Sequence, residues 1–330
     1  MKLINLSVNG STRVGVLDGE HVVDVLAVHD AHPFLDTADI AALGSTVAVI
    51  SQWDRLRPAF EEAVQRSRGG PGRIPAHGAS LVAPVVPTTI LCSGSNYLSH
   101  NQEKANADTS GKEPEFFVKT GDCVVGPGQA IVLDPKLTKK LDGEVELAVV
   151  IGKPGRHIAV KDALDHVFGY TIVNDVTARD RQVRRRPDGS YWYELGRGKL
   201  FDTSAPLGPC ITTRDEIPDP QAIMVRSWVN GELRQISSTS QMIWSVAELI
   251  HFFSVNMTLR PGMVIITGTP SGTAWSSDTE LGGKWAGTDG MVKAKGYLQA
   301  GDTVVCEIDG IGRLSNPVAL FEGQRPELQA

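Results

Sequence analysis

The sequence predicts a mainly β chain with α elements, an α+β architecture in which a small α/β N-terminal unit (residues 1–75) precedes a larger, mostly β domain (residues 88–330). Three observations predict it. The N-terminal stretch passes from strand-like runs broken by hairpin dipeptides to a helical pattern. Residues 67–87 are then crowded with Gly and Pro. Beyond them strand-like runs recur, and regular helices are few.

Leu3, Leu6 and Val8, then Val14 and Val16, then Val22, Val23 and Val25 flank the dipeptides Asn9-Gly10 and Asp18-Gly19. Both dipeptides tolerate the positive φ that two-residue hairpin turns require. From about residue 37 to 66 the apolar spacing becomes helical, ending with Phe60, Ala63 and Val64 on one face. The tract SRGGPGRIPAHGASLVAPVVP breaks regular structure, so the domain junction is placed there, with 76–87 as a linker. Strand-like runs follow at residues 89–92, 130–133, 145–151, 170–173, 222–229, 263–267 and 303–308. The clearest helix spans 240–259, where Met242, Ile243, Val246, Leu249, Ile250 and Phe253 recur at helical spacing before Arg260, Pro261 and Gly262 end it. That stripe reads as core packing. No period of repeat length, low-complexity tract or heptad pattern is present.

A chain of 330 residues, 41% hydrophobic and 21% charged, suffices for one large or two ordinary cores. A net charge of -6 and a pI near 5.8 argue against nucleic acid or an anionic membrane as the main partner and point to small molecules. The N-terminus MKLINLSVNGST has no apolar run of signal length, and no stretch approaches the ~20 apolar residues that span a bilayer. A cytoplasmic location is expected. Cys92, Cys123, Cys210 and Cys306 form no C-x-x-C pair, so free thiols are expected rather than disulfides or a zinc cluster.

The candidate chemistry starts at GEVELAVVIG. Strand alternation puts Glu144 and Glu146 on one face, while Val145, Leu147, Val149 and Ile151 point to the other. Two carboxylates held so close repel unless a cation sits between them, so an oxygen-liganded divalent metal is the economical explanation. Asp175, at the end of the apolar run in GYTIVND, is the candidate third ligand. The competing reading is a solvated sheet face with a helix-capping aspartate. His100 and Glu103 in SGSNYLSHNQE share a face if the segment is helical, and a carboxylate beside an imidazole readies it to take a proton from water. A polar surface turn is the alternative. Lys199 in GRGKLFD fits either a half-buried stabiliser of a developing oxyanion or enolate, or a salt bridge with Asp202 or a nearby Glu. TGTPSG, residues 267–272, is a polar glycine turn after an apolar strand, suited to presenting N–H groups and hydroxyls. The run Arg179, Arg181, Arg184, Arg185 and Arg186 offers guanidinium groups that could bind a substrate carboxylate bidentately, and otherwise reads mostly as a solvated helix face with at most one Arg turned inward. No phosphate-loop, dinucleotide or G-x-S-x-G pattern occurs in a strand-to-helix context, which removes nucleotide cofactors and serine hydrolysis.

Taken in order, CSGSNYLSHNQE, LDGEVELAVVIG, GYTIVNDVTARDRQ, GKLFDTSAPLGP, MVIITGTPSGT and AGDTVVCEIDGIGRLSNPV resemble the fumarylacetoacetate hydrolase family over roughly residues 88–320. The resemblance implies a β-sandwich or roll catalytic domain, Mg²⁺ or Mn²⁺ on Glu144, Glu146 and Asp175, a water-activating dyad of His100 and Glu103, and an active-site Lys199. It further implies that Gln182 and Thr269 bind substrate and that the chain is a homodimer. The reaction implied first is metal-dependent hydrolysis of a C–C bond in an acylpyruvate, a β-diketo acid or a ring-cleaved aromatic intermediate. The alternative is a lyase, decarboxylase or isomerase acting on a 2-oxo acid or ureidoglycolate. A catalytically silent, metal-stabilised binding domain ranks last, because dyad and lysine are both present. Two features depart from the family pattern: a long 274–299 segment carrying Trp275 and Trp285, expected to reshape the pocket or the dimer edge, and Ser204 where an aromatic residue is common.

Overall fold

The computed structural model describes residues 1–104 and 113–323. Strand Val145–Ile151 is buried along its whole length, on both faces. It is hydrogen-bonded antiparallel to Val167–Asn174 on one side and to Val264–Ile266 on the other, and so lies deep inside a twelve-stranded sheet. From one edge, that sheet runs Arg73–Pro75, His21–Asp24, Ser11–Asp18, Lys2–Val8, Ala205–Thr213, Val167–Asn174, Val145–Ile151, Val264–Ile266, Ile90–Gly94, Glu115–Lys119, with Leu81–Val82 paired to Lys2–Val8 and Val124–Val125 paired to Ala205–Thr213 off this path. A five-stranded sheet, Glu232–Ser238, Met224–Val229, Thr303–Ile308, Gly312–Leu320 and Ile131–Leu133, packs against it. Both sheets are open, and the architecture is α+β, as the sequence predicts.

The alternation of Val145–Ile151 divides the core in two. Val145, Leu147, Val149 and Ile151 join one cluster with Val225, Val304, Cys306, Ile308 and Leu314 of the smaller sheet. Ala148 and Val150, on the glutamate face, join a second cluster with Leu3, Val14, Val49 and Phe60 of the N-terminal unit. Each fully buried Val, Leu or Ile contributes roughly 1.5–3 kcal/mol, so this strand is fixed from both sides. The solvated sheet face considered for the glutamates is therefore excluded: Glu144 is 3% and Glu146 2% exposed.

Several boundaries differ from the sequence pattern, for local reasons. Val25 starts a helix, Val25–Ala31, because the Asp24 side chain accepts the Ala27 N–H and caps it. The 37–66 stretch is three helices, Thr37–Ala42, Thr46–Ser51 and Trp53–Arg66, the first two capped by Asp36 and Ser45. The 240–259 stripe is α-helical only over Val246–Asn256, where Ser245 and Glu248 form a capping box, while Thr239–Gln241 is a single 3-10 turn. Met242 and Ile243 lie before that cap; Ile243 N–H and Trp244 N–H are taken by Asn96 instead. Within the Gly/Pro-rich tract, Arg73–Pro75 and Leu81–Val82 form short strands, and Lys2–Val8 pairs with Ala205–Thr213, carrying the sheet across from the N-terminal unit. Cys92, Cys123, Cys210 and Cys306 are free and buried.

Candidate active site

Register brings the acidic residues together. Val145 pairs with Asn174, so Glu144 and Asp175 face each other just beyond the paired ends, and Asp175 N–H donates to the Glu144 carbonyl at 2.8 Å. Asn174 Oδ1 accepts the Glu144 N–H at 2.8 Å. On the other side, Val264–Ile266 leads into the TGTPSG turn, whose Gly268 N–H donates to Glu146 Oε2 at 2.6 Å. One oxygen from each of Glu144, Glu146 and Asp175 lies within 4.8 Å of the others.

Three cations answer this charge. Lys199, at the end of helix Leu195–Lys199, donates to Glu144 Oε2 at 2.5 Å and Asp175 Oδ2 at 2.6 Å. It is 3% exposed, buried rather than half-buried, and its partners are these carboxylates; Asp202 is exposed. Gly198 permits the approach, since a Cβ there would lie 2.4 Å from Gln182 Cβ. Arg179, 1% exposed, is the one inward arginine of the basic run: Nε donates to Asp142 at 2.8 Å, Nη1 to Gln182 Oε1 at 2.9 Å, and Nη2 to Glu144. Lys119, fully buried, lies 2.7 Å from Asp175 Oδ1 and donates to the Ser204 carbonyl at 2.5 Å. Burial alone would raise the Glu144 pKa, but Lys199 and Arg179 outweigh it and hold the carboxyl well below the usual range. Glu146 goes the other way: burial, then the charges of Asp175 and Glu144, push its pKa well above the ordinary value.

The His–Glu pair sits against the same cavity. His100 belongs to helix Leu98–Asn101, and its Nδ1 is 2.7 Å from Glu103 Oε2. Glu103 is fully buried, accepting Gly272 N–H at 2.7 Å and Thr273 Oγ1–H at 3.0 Å, so the turn after TGTPS locks the dyad in place. Trp275, from the long 274–299 segment, meets His100 edge-on at a 6.0 Å ring separation and lies 5.4 Å from the Arg179 guanidinium. Ser204 Oγ donates to the Lys199 carbonyl at 2.9 Å. Thr269 Oγ1 donates to the Val145 carbonyl at 2.9 Å and accepts Gln235 Nε2–H at 2.7 Å.

His100, Glu144, Glu146, Asp175, Gln182, Lys199 and Thr269 all line one cavity of about 30 Å³, with Glu103 behind His100. Larger cavities, of about 410 and 950 Å³, lie under the 294–299 segment and beside Trp53, but neither carries the dyad. Sequence reasoning missed Lys119 and Asp142. EFFVK carries apolar residues on both strand faces, so alternation alone does not turn Lys119 inward.

The donor set fits a hard divalent cation: three buried carboxylates, Glu144, Glu146 and Asp175, converge with one oxygen each. The model of the fumarylacetoacetate (FAA) hydrolase C-terminal domain matches residues 89–319. The chain belongs to the fumarylacetoacetate hydrolase family. Among curated family relatives it is 42% identical to the mitochondrial oxaloacetate tautomerase fahd2 of Xenopus laevis over 240 residues, 72% of this chain and 68% of that one. It is also 42% identical to the oxaloacetate tautomerase YisK of Bacillus subtilis, over 71% of each chain. Among solved structures, a maleylpyruvate hydrolase from Sphingobium sp. SYK-6, in complex with manganese (II) ion and pyruvate, superposes with a TM-score of 0.71 at 29% identity, covering 98% of this chain and 100% of that one. The fumarylacetoacetate hydrolase of Exiguobacterium antarcticum gives 0.71 at 34% identity, covering 97% and 100%.

Proposed function

We propose that this family member is a divalent-metal-dependent enzyme of small 2-oxo acids that works through the enolate, with keto–enol tautomerisation of an oxaloacetate-like acid as its first reaction. The observation that carries the reading is the convergence of the three buried carboxylates and the His100–Glu103 dyad on one cavity. Glu144, Glu146 and Asp175 would hold Mg²⁺ or Mn²⁺, which supplies Lewis-acid polarisation of the 2-oxo oxygen when bound. Glu103 fixes His100 through Nδ1 and leaves Nε2 to take the C3 proton of the keto form and to return one to the enolate. Lys199, turned toward the site by Glu144 and Asp175, shares the negative charge that develops on oxygen. Gln182 and Thr269 flank the substrate.

Hydrolytic C–C cleavage of an acylpyruvate, which the sequence reading ranks first, is the second reading. The likeness of nearly the whole chain to two hydrolase structures favours it, and there His100 takes its proton from water. The tautomerase names of the 42%-identical relatives put tautomerisation ahead. Among the described residues no helix is long and apolar enough to cross a membrane. A cytoplasmic homodimer remains part of the proposal, and light scattering on the sized protein checks the dimer.

The test is to strip the metal, restore Mg²⁺ or Mn²⁺, and follow decay of the oxaloacetate enol alongside pyruvate release from acylpyruvates, with products identified by mass. The reading expects metal-dependent enol decay that His100→Ala lowers by roughly 10²–10⁴-fold. Pyruvate release with no effect on the enol would move hydrolysis to first place. Activity untouched by metal removal would reject both readings.

A further inference from the structure

Lys104 is a cation that the site holds without neutralising. It lines the cavity with His100, Glu144, Arg179, Gln182 and Tyr193. Its ammonium donates to Ser95 Oγ and lies 5.5 Å from the centre of the Tyr193 ring. Among the described residues no carboxylate oxygen comes within 4.0 Å of it. The other cations lining the cavity are committed: Lys199 is tied to Glu144 and Asp175, and Arg179 to Asp142 and Glu144.

The setting of Lys104 looks built rather than accidental. Ser95, which receives the ammonium, has a left-handed backbone (φ 55°), uncommon for a residue with a side chain, and Asn101 Nδ2 donates to its carbonyl at 3.0 Å. A hydroxyl and an aromatic face orient an ammonium while leaving N–H groups and the full charge for an incoming anion. Burial lowers the Lys104 pKa, and Glu115 is the first of the charges that oppose the shift. That direction describes an ammonium short of a close counter-ion.

We propose that Lys104 recognises the second carboxylate of an oxaloacetate-like acid and is the residue that selects dicarboxylic over monocarboxylic 2-oxo acids. The proposal rests on the 2-oxo acid reading: the 1-carboxylate and 2-oxo oxygens belong at the Glu144–Glu146–Asp175 centre, and the far carboxylate needs a cation that this centre does not already hold. Lys104 meets that need in the same cavity.

The test uses malate and lactate, unreactive hydroxy acids that differ by the distal carboxylate, titrated by calorimetry into the Mn²⁺-loaded protein. The expected result is malate binding about tenfold or more tighter than lactate, the increment of one charge-assisted hydrogen bond. Lys104→Gln should bring the two affinities to within about twofold by weakening malate alone, and Lys104→Arg should keep most of the preference. Lactate binding with no malate preference in the wild-type protein overturns the role of Lys104 and leaves the 2-oxo acid reading standing. Equal weakening of both acids by Lys104→Gln also overturns it, by assigning Lys104 to support of Ser95 or Glu115. If neither acid binds the wild type, both readings fall.

Discussion

Glu144 and Glu146 sit two residues apart on one strand face, yet their protons are held in opposite ways. Glu144 has Lys199 and Arg179 against it and stays ionised; Glu146 has one backbone N–H and two neighbouring carboxylates, and favours its neutral form. The pH consequence follows from that asymmetry. Above the ordinary glutamate value of 4.5, the folded, metal-free protein binds more protons at Glu146 than the unfolded chain does, so this residue removes stability as pH rises toward its raised pKa. Glu144, whose pKa is lowered, contributes stability present above 4.5 and lost only as pH falls through its depressed value, so it does not titrate in the same window. The stripped protein should therefore melt at lower temperature as pH rises from about 4.5, relative to the Mn²⁺-loaded protein, because a bound cation favours the ionised form. Thermal melts of both forms across pH check this; parallel curves would contradict it. At this scale the Glu144–Glu146–Asp175 set was legible, because alternation and strand ends are written in the chain. Arg179 was not, since five arginines in one run look alike until the fold turns one toward Asp142.

Three local structures hold the site. The pairing of Val145–Ile151 with Val167–Asn174 sets Glu144 beside Asp175, helix Leu195–Lys199 brings the ammonium, and the turn from Thr267 to Thr273 anchors both Glu146 and Glu103. Gly268, whose N–H donates to Glu146, is a crowded point of that turn: its φ is +88°, and a Cβ would lie 2.7 Å from Asn96 Cβ. Gly268→Ala should lower the melting temperature and also weaken Mn²⁺ binding, because the N–H that orients Glu146 must shift. Gly301→Ala is the control, with φ +95° but open space around its Cβ, and should lower the melting temperature alone. Calorimetric Mn²⁺ titration of the two variants separates the effects. Short apolar runs bounded by turn residues, such as Val145–Ile151 and Thr303–Ile308, were readable to the residue. Helix starts were not, because Asp24 and Ser245 act as caps only once the chain has turned to offer them an N–H.

Across the whole molecule, the N-terminal unit shares its core with the site-bearing strand. Leu3, Val14 and Phe60 pack in one cluster with Ala148, Val150 and Ile266, and the Trp53 ring meets Phe168 edge-on at 5.4 Å. These contacts cover the face that continues from Glu144 and Glu146, keeping water from the carboxylates' inner side. Hairpin dipeptides and helical spacing revealed the N-terminal unit's local elements. Its pairing with Ala205–Thr213 was not visible, because a strand interrupted by Pro206, Gly208 and Pro209 does not read as a sheet partner. The central claim is that this fold delivers three carboxylates to one divalent ion. Mn²⁺ titration by calorimetry, with the metal quantified per chain, tests it most directly on the wild-type, Asp175→Asn and His100→Ala proteins. The account predicts one Mn²⁺ per chain in wild type and His100→Ala, and binding weakened at least about tenfold in Asp175→Asn. Wild-type affinity retained by Asp175→Asn, or no Mn²⁺ bound by the wild type, would contradict it.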